Sequence, residues 1–114
     1  MKYLSLLLVV TSIFLLGACT SEDAPSSVLG KDKMVNILMQ LHLAEAFVNA
    51  NYPFSDSSKF VYKSMEDSVL RVQGTDVVTF DSSMAYYQRH AELLDGIYSA
   101  VVDSLSLRES VRKK

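Results

Sequence analysis

The sequence is poor in the residues that usually build chemistry: it has one cysteine, no tryptophan, two histidines, two prolines and four glycines in 114 residues. A lone cysteine excludes an internal disulfide. So few glycines leave no loop that could cradle a phosphate. No Gly-x-Ser-x-Gly elbow or Gly-rich oxyanion loop accompanies the many serines. Basic charge is also scarce, with 11 Lys and Arg against 13 Asp and Glu. Such a balance gives no electrostatic basis for binding nucleic acid or an anionic membrane. The length allows one small domain and excludes a multidomain enzyme or a large cofactor-binding fold.

What is present begins at the N-terminus. Met1-Lys2 is a short positive start, Tyr3 to Leu16 is uncharged and rich in Leu, Val and Ile, and Leu16-Gly17-Ala18-Cys19 follows. A positive start, an apolar stretch and small residues at the cut define a secretory signal. The last four residues have the form of a bacterial lipobox: small Gly17 and Ala18 let the backbone enter a narrow peptidase site, and the thiol accepts the lipid. Residues 1–18 are therefore expected to be a signal peptide cut between Ala18 and Cys19, with a diacylglyceryl group and an N-acyl chain on Cys19. As an uncleaved anchor, residues 3–18 would reach only about 24 Å at roughly 1.5 Å per residue, short of a bilayer's apolar thickness of about 30 Å.

Residues 19–30 read as the lipidated cysteine and a flexible tether, since Thr20 to Ser27 is polar and small apart from Ala24 and Pro25. Thr20, rather than an aspartate, follows the cysteine, which disfavours retention at the inner membrane. Ser21-Glu22-Asp23 is similar to acidic export signals of surface lipoproteins, so the expected location is the outer membrane, on either its periplasmic face or the cell surface.

From Lys31 onward apolar residues recur with helical period. Met34, Leu38, Leu41 and Val48 form a line, widened by Val35, Ile37, Ala44 and Phe47, and Tyr52-Pro53 ends the segment; helix 1 is expected over about 31–50. Phe60, Val61, Met65, Val69 and Val72 predict helix 2 over about 57–72, with Gly74 stopping it by accepting a positive φ. Thr75 is the expected cap of the next helix. Val77, Phe80, Met84, Tyr87, Ala91, Leu94, Tyr98, Val101 and Leu105 keep 3,4 spacing. A break near Arg89–Glu92 divides this stretch into helices over about 76–89 and 91–108, one continuous helix being the alternative. The β-branched cluster Val77-Val78-Thr79 has no partner run with a hairpin turn. The fold class is all-α, a three- to four-helix bundle over 31–108, with 109–114 a polar, fraying tail.

Candidate sites are few. His42 and Glu45 lie three apart on helix 1, close enough to meet, and His90 is the remaining histidine. Together they are the only basis for an alternative reading as a small envelope enzyme or metal-binding protein. No Glu-x-x-His run of the kind used by carboxylate-bridged bundles occurs, so no cofactor, metal or catalytic residue is assigned. Tyr86 and Tyr87 cannot share a helix face at about 100° per residue. Tyr87 falls on the seam, and Tyr86 is expected to be partly exposed beside His90. Tyr86, His90 and His42 are the candidate interaction residues, since tyrosine suits interfaces. Met34, Met39, Met65 and Met84 suit the core or adaptable binding.

Four segments also carry a resemblance: Lys33-Met34-Val35-Asn36-Ile37-Leu38, Leu41-His42-Leu43-Ala44-Glu45-Ala46, Phe80-Asp81-Ser82-Ser83-Met84-Ala85-Tyr86-Tyr87 and Leu94-Asp95-Gly96-Ile97-Tyr98. The chain resembles a family of small Bacteroidota lipoproteins built on a domain of unknown function. That family tends to place a proline after the position of His90, where this chain has Ala91. The resemblance implies a helical domain linked to the outer membrane and supplies no activity. The expected role is a lipid-anchored, non-catalytic module that meets the membrane through its anchor and binds envelope proteins, possessing no small-molecule substrate and no nucleic-acid partner.

Overall fold

The computed structural model describes residues 24–114. Among them four helices form and no strand: α1 (Lys31–Asn51), α2 (Ser57–Val72), α3 (Val77–Gln88) and α4 (Ala91–Arg112). The expected all-α class holds, and the stretch from 76 to 108 is two helices broken at Arg89-His90.

α1 lies between α2 and α4, while the short α3 packs against α4 and α2. The connection after α1 is a short turn, so α2 returns antiparallel to it. α4 instead runs parallel to α1. The Lys31 side chain lies over Gly96 near the start of both helices, and Leu43 shares a groove with Leu105, Arg108 and Arg112 further along both. Burial on two sides explains the breadth of apolar sequence in α1. Met34, Ile37, Leu38, Leu41, Ala44 and Val48 are buried as expected, and so is Met39. Met39 follows Ile37 by two residues, which places it about 160° round the helix, on the other side. Val101 and Ile97 of α4, Phe80 and Tyr87 of α3 and Leu70 of α2 complete the core.

The helix ends follow local chemistry. Gly74 has φ 71. Its N–H donates to the Arg71 carbonyl, and the Thr75 N–H donates to Leu70, the paired bonds of a Schellman stop. The cap of α3 is Asp76 rather than Thr75: its Oδ1 accepts from the Thr79 N–H at 2.7 Å. Asp and Thr are both favoured caps, but the Schellman bond holds Thr75 at the end of the previous helix. Thr75 Oγ1 is left buried without a hydrogen-bond partner.

Other expectations are corrected. α2 buries only Leu70 fully; Phe60 and Val72 are exposed at 78% and 77%. The expected stripe followed one apolar line, whereas α2 meets the core at its α1-facing edge. Phe47 is likewise exposed, and so are Ala91 and Tyr98 on the expected seam. Leu94, Val101 and Leu105 of that seam do pack inward, but Ile97 takes the buried place expected of Tyr98. The tail expected at 109–114 is helical through Arg112. Leu, Arg and Glu favour helix, Glu109 pairs with Lys113 at 2.9 Å, and Arg112 suits the negative end of the helix dipole.

Of the tether expected over 19–30, only Ala24 to Gly30 is described, and that part packs on the domain. Its first part, Cys19 to Asp23, lies outside the described residues, as do the signal segment and its cut site at Ala18. Ala24, Val28 and Leu29 are partly buried against the core.

Candidate functional site

Two places bring together side chains with work to do. The first is where the segment Ala24–Gly30 meets α3. Ser83 and Tyr87 are one helical turn apart and point the same way. Ser83 is fully buried. Its Oγ accepts from the Leu29 N–H at 2.9 Å and donates to the Thr79 carbonyl at 2.7 Å. The Tyr87 hydroxyl donates to the Leu29 carbonyl at 2.7 Å. Both polar groups of one backbone residue are therefore held by one helix. Buried backbone groups require such partners, and α3 supplies them in the absence of a strand. Burial, reinforced by neighbouring Tyr86, pushes the Tyr87 hydroxyl above the usual tyrosine pKa, which keeps it a donor.

Tyr86 and His90 stand beside this clasp. Tyr86 is half-buried as expected, its ring stacked on His90 at 4.1 Å and set edge-on to Tyr87 at 5.3 Å. His90 Nδ1 lies 2.7 Å from the Tyr86 carbonyl. Stacking and hydrogen bonding fix the His90 ring where the chain turns into α4. Both residues thus support the turn between α3 and α4, and both are half-buried.

The other candidates lie elsewhere. His42 and Glu45 approach to 3.8 Å on the exposed side of α1. Among the described residues no group of three or more His, Cys, Asp or Glu side chains comes together, so His90 does not join the pair. Also among them, no helix is long and apolar enough to cross a membrane.

The second place is the turn joining α1 to α2. Phe54 is fully exposed at 109% and holds φ 58, a left-handed conformation that non-glycine residues seldom adopt. The Phe47 and Tyr52 rings lie 6.5 Å apart nearby, tilted by 58°, and Phe60 is exposed at the start of α2. Beside them a cleft is lined by Glu45, Val48, Asn49, Ser58, Lys59 and Tyr62. Burial and the carboxylates of Glu66 and Glu45 raise the Tyr62 hydroxyl above its ordinary pKa.

Sequence reasoning missed Ser83, Leu29 and Phe54. The pair Val28-Leu29 inside a polar stretch, and Ser83 four before Tyr87, were the available signals for the clasp. Phe54 could be suspected from a phenylalanine directly after a helix-ending proline.

The fold and these two places define a small helical domain that clasps its own N-terminal segment and exposes an aromatic turn. Residues 25–111 match the domain of unknown function DUF4296, and the chain belongs to that family. The matched span starts within the clasped segment. No curated protein and no solved structure matches the chain.

Proposed function

We propose that this chain is a lipid-anchored, non-catalytic lipoprotein of a bacterial outer membrane, an interaction or chaperone-like accessory for envelope proteins. The lipobox Leu16-Gly17-Ala18-Cys19 supports the anchor. A single acyl chain holds a protein only marginally, whereas several chains on one cysteine give stable attachment. No cofactor is needed beyond those chains.

One observation carries the interaction half: Phe54 stands wholly in water on a strained backbone, with Phe47, Tyr52 and Phe60 exposed in the same region. Strain of this kind costs about 1–3 kcal/mol, and a fully exposed ring returns nothing to folding. An exposed apolar patch marks a place of contact, and aromatic side chains are favoured there. The partner in this reading is an envelope polypeptide with apolar segments uncovered.

Two measurements test it. Cys19→Ser releases the protein from membranes or leaves it unprocessed; retention at wild-type size overturns the anchor. Residues 24–114 bind a chemically unfolded polypeptide, and Phe54→Ser weakens that binding. An absence of binding at high micromolar concentration overturns the interaction half.

A further inference from the structure

The clasp has a geometric consequence for the anchored protein, resting on the lipid-anchor reading above. Only Thr20 to Asp23 separate Cys19 from Ala24. However those four residues run, five Cα steps of roughly 3.6 Å cannot span more than about 18 Å. Ala24 lines one cleft together with Pro25, Gly30, Lys31, Tyr87 and Leu93, which places it at the N-terminal end of α1. The Ser83 and Tyr87 bonds fix the segment at Leu29, and the packing of Ala24 and Val28 against the core keeps the rest from lengthening the tether. α1, 21 residues long, then separates that end from the Tyr52–Phe54 turn by about 30 Å at roughly 1.5 Å per residue.

We propose that the clasped end, made of Ala24–Gly30, the start of α1 and the turn between α3 and α4, is the face apposed to the lipid surface, and that the bundle stands on it with the aromatic turn pointing away. The alternative of lying on the α3–α4 flank is opposed by charge. Asp76, Asp81 and Asp103 are exposed along it, whereas at the clasped end Lys31, Lys33 and Arg89 balance Asp32, Glu92 and Asp95. An anionic leaflet repels such a row within a Debye length. The clasp thus sets both the height and the attitude of the domain.

The chain has no tryptophan, so a single introduced one reports position without background. Lipidated full-length protein carrying S26W or F54W, both at exposed sites, is placed in vesicles of phosphatidylethanolamine and phosphatidylglycerol containing a dansyl-labelled lipid. The separation of roughly 30 Å is expected to give S26W at least about twofold more energy transfer to the headgroups than F54W. Inserting a Gly-Ser stretch between Asp23 and Ala24 lowers the S26W signal and shrinks the difference. Tyr87→Phe with Ser83→Ala shrinks it too while helicity by circular dichroism persists. Equal or reversed transfer in protein that floats with the vesicles overturns the orientation and leaves the anchor standing. A difference unmoved by the longer tether overturns the role of the short tether and clasp. Failure to float overturns the anchor reading, and the orientation with it.

Discussion

The two ends of the bundle are built from similar residues and treat them in opposite ways. At the clasped end, Met34, Ile37 and Ile97 are inaccessible to water, and even the polar Ser83 is sealed and fully bonded. At the other end, Phe47, Phe54 and Phe60 are exposed although each is larger and more apolar than Ser83. Size and hydrophobicity therefore do not decide burial here; the availability of a second helix does. α1 is covered by α2 and α4, but no other helix among the described residues covers Phe54 at the turn between α1 and α2. The first end is organised for stability and the second for exposure.

The largest expected effect comes from breaking the sealed end. Ile97→Ala or Ile37→Ala removes a fully buried side chain, a change that costs about 2–5 kcal/mol once the cavity is counted. A small domain has a stability of only about 5–15 kcal/mol, so thermal unfolding is expected to move down by about eight degrees or more (roughly 4–8 °C per kcal/mol). Phe54→Ala, removing a larger side chain, is expected to shift stability by less than about 0.5 kcal/mol. Equal loss in the two would erase the distinction between the ends.

The clasp gives the next effect. Ser83→Ala leaves the Leu29 N–H without its bond, and an unsatisfied buried group costs about 1–3 kcal/mol. Hydrogen exchange at the Leu29 amide is expected to accelerate more than exchange in α1. Tyr87→Phe frees the Leu29 carbonyl in the same way and adds a pH signature. Because the folded pKa of Tyr87 is raised, its contribution is complete below the unfolded tyrosine value of about 10 and is lost as pH rises through the folded one. Alkaline unfolding curves of wild type and Tyr87→Phe should converge; curves that coincide at every pH would show that the hydroxyl contributes nothing.

The turn between α2 and α3 sharpens the comparison on a smaller scale, because it contains one satisfied and one unsatisfied side chain in adjacent positions. Asp76→Ala removes the bond to the Thr79 N–H and lowers stability. That bond also holds the Asp76 carboxyl below its usual pKa, so the cap's contribution is present above the unfolded value and fades as acid protonates it. Thr75→Val replaces the unpartnered hydroxyl with a methyl group and is expected to be neutral or stabilising by up to about 1 kcal/mol. Paired melting curves check both signs.

Much of this fold was legible in the sequence, for physical reasons that also mark where the reading stopped. The bounds of α1 and α2 are written in Pro53, Gly74 and the phase of Met34–Val48, and the break before α4 in the lowered helix propensity of Arg89–Glu92 and Gly96. Periodicity reports that a helix has an apolar side, but not which part of that side meets a neighbour. Hence Phe60 and Phe47, on the apolar lines, are exposed, while Leu70 and Ile97, slightly off them, are buried. Tyr86 beside His90 was legible from their four-residue spacing, one helical turn. The clasp was not, because its bonds join residues 54 and 58 apart in sequence, and nothing local marks Leu29 as bound. Tethers and tails are judged by composition, and composition missed the packing of Ala24–Gly30 and the helix through Arg112.

The finest test concerns Phe54 itself, where stability and the proposed role pull in opposite directions. Its φ of 58 suits glycine, which adopts the left-handed region without steric cost. Phe54→Gly relieves that strain but also makes the unfolded chain more flexible, which opposes the gain. The expected net result is a small stabilisation, below about 1 kcal/mol and visible as a slightly higher melting temperature. The same variant removes the exposed ring, so capture of unfolded polypeptide should fall. A variant that is more stable and binds less indicates a residue kept for contact at the expense of folding. If Phe54→Gly instead destabilises the domain, the ring supports the turn, and its exposure says nothing about a partner.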